Sequence, residues 1–264
     1  MSRNWNWTSI KAVSAFVYFS MLVPLLVVVV NSFHPKRIPS FPPSELSLRW
    51  YGAFFADEMF LNAVWVSTKV GIVAALGCGL LGTVTAMGFV RKQFPFQKGL
   101  TIVVLSPMLV PPVIIGLAST MFFTEIGWDR SFAWLAVMHM LITLPYAFLI
   151  VRSRLYLFDD SLEEPARTLG ADHLTTFREV TFPIISPAII TAMVLSFVIS
   201  FGEFTATQFW VAGSTTTVPV VIYTMLETLI TPKVNVLATL VLVVTIGIPF
   251  AAFAIRNRFF PAQN

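Results

Sequence analysis

The chain has 264 residues, of which 56% are hydrophobic and only 11% are charged, and its formal net charge is +4. Soluble domains are typically about 45–50% apolar and about 25% charged, so this chain lacks the polar groups to cover the surface of a soluble globule. The 25 Phe and 7 Trp residues exclude a disordered chain, and the one cysteine, Cys78, excludes a disulfide scaffold or a multi-cysteine metal site. The composition indicates a polytopic membrane protein.

Six apolar runs are each long enough to cross a bilayer as a helix, which needs about 20 such residues. We predict a single transmembrane domain over residues 1–264 with spans at about 10–30, 60–90, 100–123, 131–151, 184–202 and 234–255. The runs are continuous rather than alternating, so they predict helices and not a β-barrel. The first run is too long for a signal peptide and lacks a small-residue cleavage pattern, so we expect an uncleaved first span.

Positive charges are distributed unevenly between the two ends of the spans. Six spans place both termini on one side, and eleven of the 17 Lys and Arg residues fall on that side against five on the other. Positively charged loops tend to stay in the cytoplasm. We therefore expect a multi-pass protein of the cytoplasmic membrane with both termini in the cytoplasm.

The second and third spans carry packing signals. In the second span, small residues recur every four positions, a spacing that lets helix backbones pack closely; they are Gly71, Ala75, Gly79 and Thr83. The third span contains three prolines, Pro107, Pro111 and Pro112. Because proline lacks a backbone N–H and clashes with the preceding turn, we predict a kinked helix.

Few ionisable groups lie at membrane depth. Lys69 lies in the second span, and Glu203 follows the fifth span near a predicted helix break. Charged groups at such depth are costly and indicate function unless the side chain reaches the surface. The partly apolar segment 203–233 predicts a broken or re-entrant helix. His139, in mid-span, is expected to be buried and hydrogen-bonded rather than catalytic.

The connection between the fourth and fifth spans, residues 152–183, is the longest predicted cytoplasmic loop. It predicts two short helices separated by Gly170, with Ser161 capping the first, Asp172 capping the second, and Pro183 starting the next span. Apolar residues recur at helical spacing in both; they are Leu162, Ala166, Leu169, Leu174, Phe177 and Val180. An exposed apolar patch of this kind implies a protein partner. The alternative, a helix on the anionic membrane surface, fits poorly because the loop is rich in acids.

Residues 164–183 resemble a known motif. Glu-Pro-Ala-Arg-Thr-Leu-Gly-Ala, with Val-Thr-Phe-Pro nine residues after the glycine, is similar to the EAA motif of permease subunits of binding-protein-dependent ABC importers. The departures are Pro165, Val180 and Phe182. Asn31-Ser32-Phe33, the proline-rich third span and Phe201-Gly202-Glu203-Phe204 resemble the polyamine, iron and phosphonate branch of these permeases, so the resemblance covers nearly the whole chain.

This resemblance implies an all-α integral membrane protein of the bacterial inner membrane, with six transmembrane helices in the type I ABC importer (MetI-like) permease fold. It also implies a cytoplasmic coupling helix that docks into a cleft of an ATPase. The residues expected at this contact, from the motif and the apolar spacing together, are Glu164, Ala166, Leu169, Gly170, Ala171, Leu174, Phe177 and Pro183. The implied partners are two cytoplasmic ABC ATPases, a second permease (a paralogue or an identical copy) and an extracytoplasmic solute-binding protein.

The sequence contains no phosphate-binding loop and no chain of embedded acids and histidines for proton coupling. A separate ATPase that drives transport accounts for both missing features. We therefore expect no catalytic, cofactor or metal residues in this chain, with ATP and Mg bound by the partner ATPase. Hydrolase motifs and a basic stripe with interleaved aromatics are missing from the sequence, which argues against an enzyme and against nucleic-acid binding. The alternative class is a secondary transporter, which predicts internal two-fold symmetry and more embedded charges.

The candidate substrate pathway is the segment around Glu203, with Phe201, Phe204 and Thr205. A carboxylate beside aromatic rings can bind a cationic amine through charge and cation–π contacts. The resemblance favours a polyamine such as spermidine or putrescine, with iron(III) or an aminophosphonate as alternatives. Transport is expected to proceed by alternating access.

Overall fold

The computed structural model describes residues 7–37, 41–43, 45–228 and 231–259, without the side chains of Thr8 and of residues 255–259. Within these ranges all regular structure is helical. The helices are α1 (Trp7–Ser32), α2 (Arg49–Phe55), α3 (Glu58–Arg91), α4 (Gln97–Leu109), α5 (Pro112–Glu125), α6 (Phe132–Tyr156), α7 (Glu164–Thr168), α8 (His173–Thr176), α9 (Phe182–Gly202), α10 (Thr207–Trp210), α11 (Val218–Thr228) and α12 (Lys233–Phe259).

By length and composition, five helical segments of the described chain are able to cross a membrane, and the bent pair of α4 and α5 raises the number to six. The five are Ser9–Ser32, Glu58–Arg91, Phe132–Tyr156, His173–Gly202 and Lys233–Ala254. The predicted fold class, an all-α membrane protein with six spans, is confirmed. The single domain over residues 1–264 stays a prediction.

The third span is broken rather than merely kinked. Helices α4 and α5 meet at an angle of 104°. Between them, Val110 and Pro111 are extended, with ψ of 133° and 131°. Each of these residues precedes a proline, which disfavours the helical conformation. The pair Pro111-Pro112 therefore ends one helix and, with Pro112 in the first turn, starts the next.

Two compact units are formed, and the smaller one comprises Met1–Leu61 and Ile222–Val243. Aromatic contacts join α1 to α2, since the Phe33 ring stacks on Tyr51 with centroids 5.2 Å apart. The Tyr51 hydroxyl also lies 2.8 Å from Ser32 Oγ. Lys233 Nζ, at the start of α12, donates to Asp57 Oδ2 at 2.9 Å. These contacts connect segments that are far apart in the chain.

The larger unit, Asn62–Val221 and Val244–Asn264, packs α3 closely against α6 and α9. A Cβ added at Gly82 would lie 2.9 Å from Ala147 Cβ, and one at Gly71 would lie 2.8 Å from the Phe197 ring. The predicted role of the small residues in helix packing is therefore confirmed at Gly71, and Gly82 on the same helix packs as closely. Because little side-chain volume separates the helices, their backbones approach as membrane helices commonly do.

His139 lies in a polar network at the centre of the larger unit. It is 1% exposed; its Nδ1 lies 2.8 Å from Ser200 Oγ of α9, and its Nε2 lies 3.1 Å from Thr207 Oγ1 of α10. The Trp210 indole N–H donates to Ser119 Oγ of α5 at 2.8 Å. The prediction of a buried, hydrogen-bonded histidine is confirmed, and the network fixes α10 among three longer helices.

Pro183 lies in the first turn of α9, as predicted, but no break separates this helix from the preceding one. One wide turn, Phe177–Thr181, joins α8 to α9, and the Phe182 N–H donates to Phe177 O five residues earlier. Pro183 then sits in the first turn of α9, where its missing N–H is tolerated. The helix is therefore continuous from His173 to Gly202, so the loop is rigidly connected to the following span.

Candidate functional site

The coupling unit, which we define as residues 159–181, is a short helix, a glycine turn and a second helix. Gly170 has a φ of +89°. The Ala171 N–H donates to Ala166 O and the Gly170 N–H donates to Arg167 O, both at 3.0 Å. This pair of bonds is the Schellman arrangement that ends helices at a left-handed residue. The predicted role of Gly170 as a helix terminator is confirmed.

Of the two predicted N-terminal caps of the coupling helices, one is confirmed and one is wrong. Asp172 caps α8, accepting the Thr175 N–H at 2.8 Å, as predicted. The predicted cap Ser161 is wrong, because Asp159 accepts the Ser161 N–H at 3.0 Å and starts a tight turn, Asp160–Glu163, ahead of α7. Hydrogen bonds from Ser161 lower the pKa of Asp159, and hydrogen bonds from Thr175 lower that of Asp172. Both carboxylates therefore stay ionised in their capping roles.

Large apolar side chains of the coupling unit are exposed. Leu169 is 89% exposed, Leu174 72% and Leu162 48%. Glu164 and Pro183 are also exposed, whereas Ala166 and Ala171 are half-buried. The half-buried Phe177 packs against the core of the larger unit beside Phe182, so its ring is partly covered by the chain itself. The contact of these residues with an ATPase stays a prediction.

Glu163 is the residue that the sequence analysis missed. Its side chain is 4% exposed and accepts from Arg167 at 2.6 Å. It also binds Arg91, at the end of α3, and the Thr181 hydroxyl, just before α9. One carboxylate thus connects the start of the coupling unit to the end of α3 and to Thr181, the last residue of the unit before α9. The spacing of Glu163 and Arg167 by four residues was a signal in the sequence, but contacts across 72 and 18 positions are decided by tertiary structure.

The surroundings of Glu163 keep it charged. Burial raises the pKa of this carboxyl, but hydrogen bonds from Thr181 and Arg91 and the charges of Arg91 and Arg167 outweigh burial and lower it below its ordinary value of 4.5. A cavity of about 490 Å³ opens beside it, with both signs of charge in its lining. The charged lining residues are Arg91, Asp160, Glu163, Glu164 and Arg167. This cavity is suited to a charged side chain from outside the chain.

The segment around Glu203 forms a turn. Glu203 Oε1 accepts the Ala206 N–H at 2.7 Å, which caps the turn leading into α10. Phe201 is buried and stacks on Phe197 with centroids 5.6 Å apart. Phe204 is half-buried and Thr205 is exposed. Of the four residues assigned to the substrate pathway, Thr205 is the most accessible, and the assignment of all four stays a prediction.

Comparison with known proteins finds similar membrane components of transport systems. Residues 78–260 match the family model of the binding-protein-dependent transport system inner membrane component. The chain is 30% identical over 259 residues to the putrescine transport system permease protein PotI of Escherichia coli K12, covering 96% of this chain and 91% of that one. It is 29% identical over 239 residues to the spermidine/putrescine transport system permease protein PotC of the same strain, covering 89% of each.

Two solved structures share the fold. A bacterial alginate ABC transporter, solved in complex with an alginate pentasaccharide-bound periplasmic protein, contains a chain with a TM-score of 0.69 and 14% identity, covering 98% of this chain and 99% of that one. The MetNI methionine ABC transporter contains a chain with a TM-score of 0.62 and 18% identity, covering 76% and 95%. These likenesses confirm the type I (MetI-like) fold. Since the family model spans more than half of the chain, the protein belongs to the binding-protein-dependent transport system inner membrane components.

Proposed function

We propose that this chain is the permease subunit of an ATP-driven importer that moves a polyamine across the inner membrane by alternating access. Relatives named for putrescine and spermidine transport match nearly the whole length of the chain, which supports the polyamine. The observation that carries the coupling mechanism is the bonding of Glu163, which joins the coupling unit to the end of α3 and to Thr181, directly before α9.

The proposed partners follow from this mechanism. Two cytoplasmic ATPases hydrolyse ATP and each grips one coupling unit; this chain supplies one unit and a second permease, a paralogue or a copy, supplies the other. Exposed Leu169 and Leu174 enter an apolar cleft of the ATPase, and Glu164 reaches its charged rim. A solute-binding protein delivers the substrate on the opposite side, which the excess of positive charge on the side of both termini predicts to be extracytoplasmic.

In the proposed mechanism, movement of the ATPase reaches the membrane spans through the bonds of Glu163 and through one continuous helix. When α7 is displaced, Glu163 moves with it because the two are adjacent in the chain. Arg91 and Thr181 follow through their bonds to Glu163. The continuous helix from His173 to Gly202 then carries the displacement to the segment around Glu203. The spans move as packed bodies, which is the rocking motion that alternating access requires.

The docking surface is tested by replacing Leu169 with serine. Burying a leucine side chain stabilises a contact by about 1.5–3 kcal/mol, so Leu169→Ser is expected to weaken co-purification of the ATPase about 10- to 100-fold. The measurement is a titration of the ATPase onto the tagged permease in mild detergent. Leu46→Ser is the matched control, since Leu46 is 75% exposed but lies in the loop after α1. Equal binding by both variants would contradict the proposed docking surface.

The substrate is tested at Glu203 by a change that removes the charge and keeps the shape. Glu203→Gln retains the oxygen that accepts the Ala206 N–H, so the turn is preserved. If the carboxylate binds a polyamine, the KM for putrescine rises about tenfold, since one charge-assisted contact is lost. Glu125→Gln, at the exposed end of α5, is the control. An unchanged KM excludes Glu203 as a substrate ligand, whereas uptake of iron(III) or an aminophosphonate instead of putrescine excludes the polyamine itself.

A further inference from the structure

A second cavity, of about 480 Å³, lies within the smaller unit. Seven described residues line it, two of them in α2 and one each at the starts of α3 and α12; they are Arg37, Arg49, Trp50, Phe60, Met225, Thr231 and Lys233. Phe60 and Lys233 lie in the first turns of α3 and α12, two helices long and apolar enough to cross a membrane. Their position at the ends of these helices indicates that the cavity is close to a membrane–water boundary.

The cavity has an excess of positive charge. Three of its lining residues are cations, and no acid lines it within the described ranges. Asp57 lies beside it and binds Lys233 at 2.9 Å, whereas Arg37 and Arg49 form no ion pair with a described residue. The Arg49 guanidinium lies 5.2 Å from the Trp50 ring centroid, and Lys233 Nζ lies 5.2 Å from that of Phe60. Aromatic rings thus hold two of the cations at the cavity.

Two further polar groups of the cavity have no partner among the described residues. The Trp50 indole N–H and the Thr231 hydroxyl oxygen are both buried and unbonded. Burying a polar group without a hydrogen bond costs free energy, so such groups are rare unless a ligand or an ion completes them. The indole N–H is a donor, and the hydroxyl can donate as well. Both groups belong to residues that line the cavity together with its three cations.

We propose that this cavity binds the phosphate of an anionic phospholipid headgroup. A phosphate offers several acceptor oxygens, which match the fork of an Arg guanidinium together with neutral donors. The position at the membrane–water boundary supplies a lipid at high local concentration, and Phe60 and Met225 provide apolar surface for the glycerol and upper acyl chain. A cationic solute would be repelled, so the site is separate from the transport path and does not depend on which solute is carried.

The experiment is native mass spectrometry of the full chain in detergent, titrated separately with phosphatidylglycerol, phosphatidylcholine and inorganic phosphate. We expect selective retention of phosphatidylglycerol. Arg49→Gln is expected to weaken this retention about tenfold. Thr231→Val, which removes an unbonded donor and keeps the shape, and Trp50→Phe, which removes the indole N–H and keeps an aromatic ring beside Arg49, are expected to weaken it about threefold each. Arg130→Gln, an exposed cation outside the cavity, is the control for charge alone and should retain the lipid as the unaltered chain does.

Each contrary outcome has a distinct meaning. Equal retention of phosphatidylglycerol and phosphatidylcholine, or equal weakening by Arg130→Gln and Arg49→Gln, would overturn the proposal in favour of non-specific lipid. Binding of inorganic phosphate that displaces phosphatidylglycerol would overturn the lipid as the source of the phosphate. If Arg49→Gln kept the lipid but lost stimulation by the solute-binding protein, the cavity would be a protein contact instead. Should Arg49→Gln fail to fold, Trp50→Phe and Thr231→Val decide the question.

Discussion

Glu163 is the residue on which the stability of the coupling unit depends most. Its carboxylate bonds Arg91, Arg167 and the Thr181 hydroxyl in a site that leaves the side chain 4% exposed. Glu163→Gln would leave two guanidinium groups without their counter-charge. Removing one partner of a buried pair is strongly destabilising, and the partial exposure of both arginines reduces the cost, so we expect a loss of about 1–3 kcal/mol. Thermal unfolding of the purified chain in detergent measures it.

The adjacent Glu164 provides the control. Its side chain is exposed, so Glu164→Gln is expected to leave the melting temperature unchanged even where it impairs coupling to an ATPase. A fall of similar size in both variants would show that net charge, and not the bonding of Glu163, stabilises the loop.

The lowered pKa of Glu163 predicts a pH dependence. A carboxyl with a lower pKa in the folded state than in the unfolded state stabilises the fold above its unfolded pKa, and this contribution is lost as the pH falls through the folded pKa. The unfolded reference here is the ordinary value of 4.5. The stability difference between the unaltered chain and Glu163→Gln should therefore be constant from neutral pH down to about that value and shrink below it. A difference that is unchanged in stronger acid would contradict the assignment.

At the scale of the element, the turn at Gly170 depends on backbone conformation alone. A Cβ added there meets nothing within 4 Å, but φ is +89°. For a residue with a Cβ, the left-handed backbone conformation costs about 1–2 kcal/mol, and the cost is greatest for β-branched residues and smallest for asparagine. ATPase binding and uptake should therefore fall in the order Gly170→Asn, Gly170→Ala, Gly170→Val. Equal activity of the Asn and Val variants would show that the turn is not required.

The close contact between α5 and the segment that starts α10 depends on the absence of a side chain at Gly116. A Cβ at Gly116 would lie 2.8 Å from Ala206 O and 2.9 Å from Ala206 Cα. Because these are backbone atoms, no rotamer change relieves the clash, and Gly116→Ala is expected to destabilise the chain by about 1–3 kcal/mol. Gly88→Ala in α3 is the control, since its Cβ meets nothing, and it should be neutral or slightly stabilising. Unfolding midpoints of the two variants test this, and similar midpoints would contradict close packing of α10.

For the whole molecule, the central expectation is dependence on an external motor. Proteoliposomes with this chain alone should not accumulate putrescine against its gradient, whereas the assembly with both ATPases and the second permease should do so when ATP is supplied. Radiolabelled uptake measures both. Uphill uptake by the chain alone would favour a secondary transporter and contradict the proposed function.

Local sequence patterns were sufficient to predict the membrane spans and several helix ends. The length of each apolar run indicated a membrane span, because a helix forms all the hydrogen bonds of its backbone N–H and C=O groups within one segment, as the lipid requires. Paired prolines located the break between α4 and α5, and Gly170 and Asp172 located the end of one coupling helix and the start of the next. These are local effects, in which the residue types determine the backbone conformation within one or two turns.

Contacts between distant positions were decided by tertiary structure alone. No local pattern singled out Glu163, but folding brings Arg91 and Thr181 to it and buries the carboxylate. The sequence suggested Glu203 as a substrate ligand, which stays a prediction, and the hydrogen bond from the Ala206 N–H to its carboxylate was seen only in the tertiary structure. The cavity at Arg49 and Thr231 joins residues 182 positions apart. Burial and charge pairing depend on what other segments place nearby, and no local pattern records that.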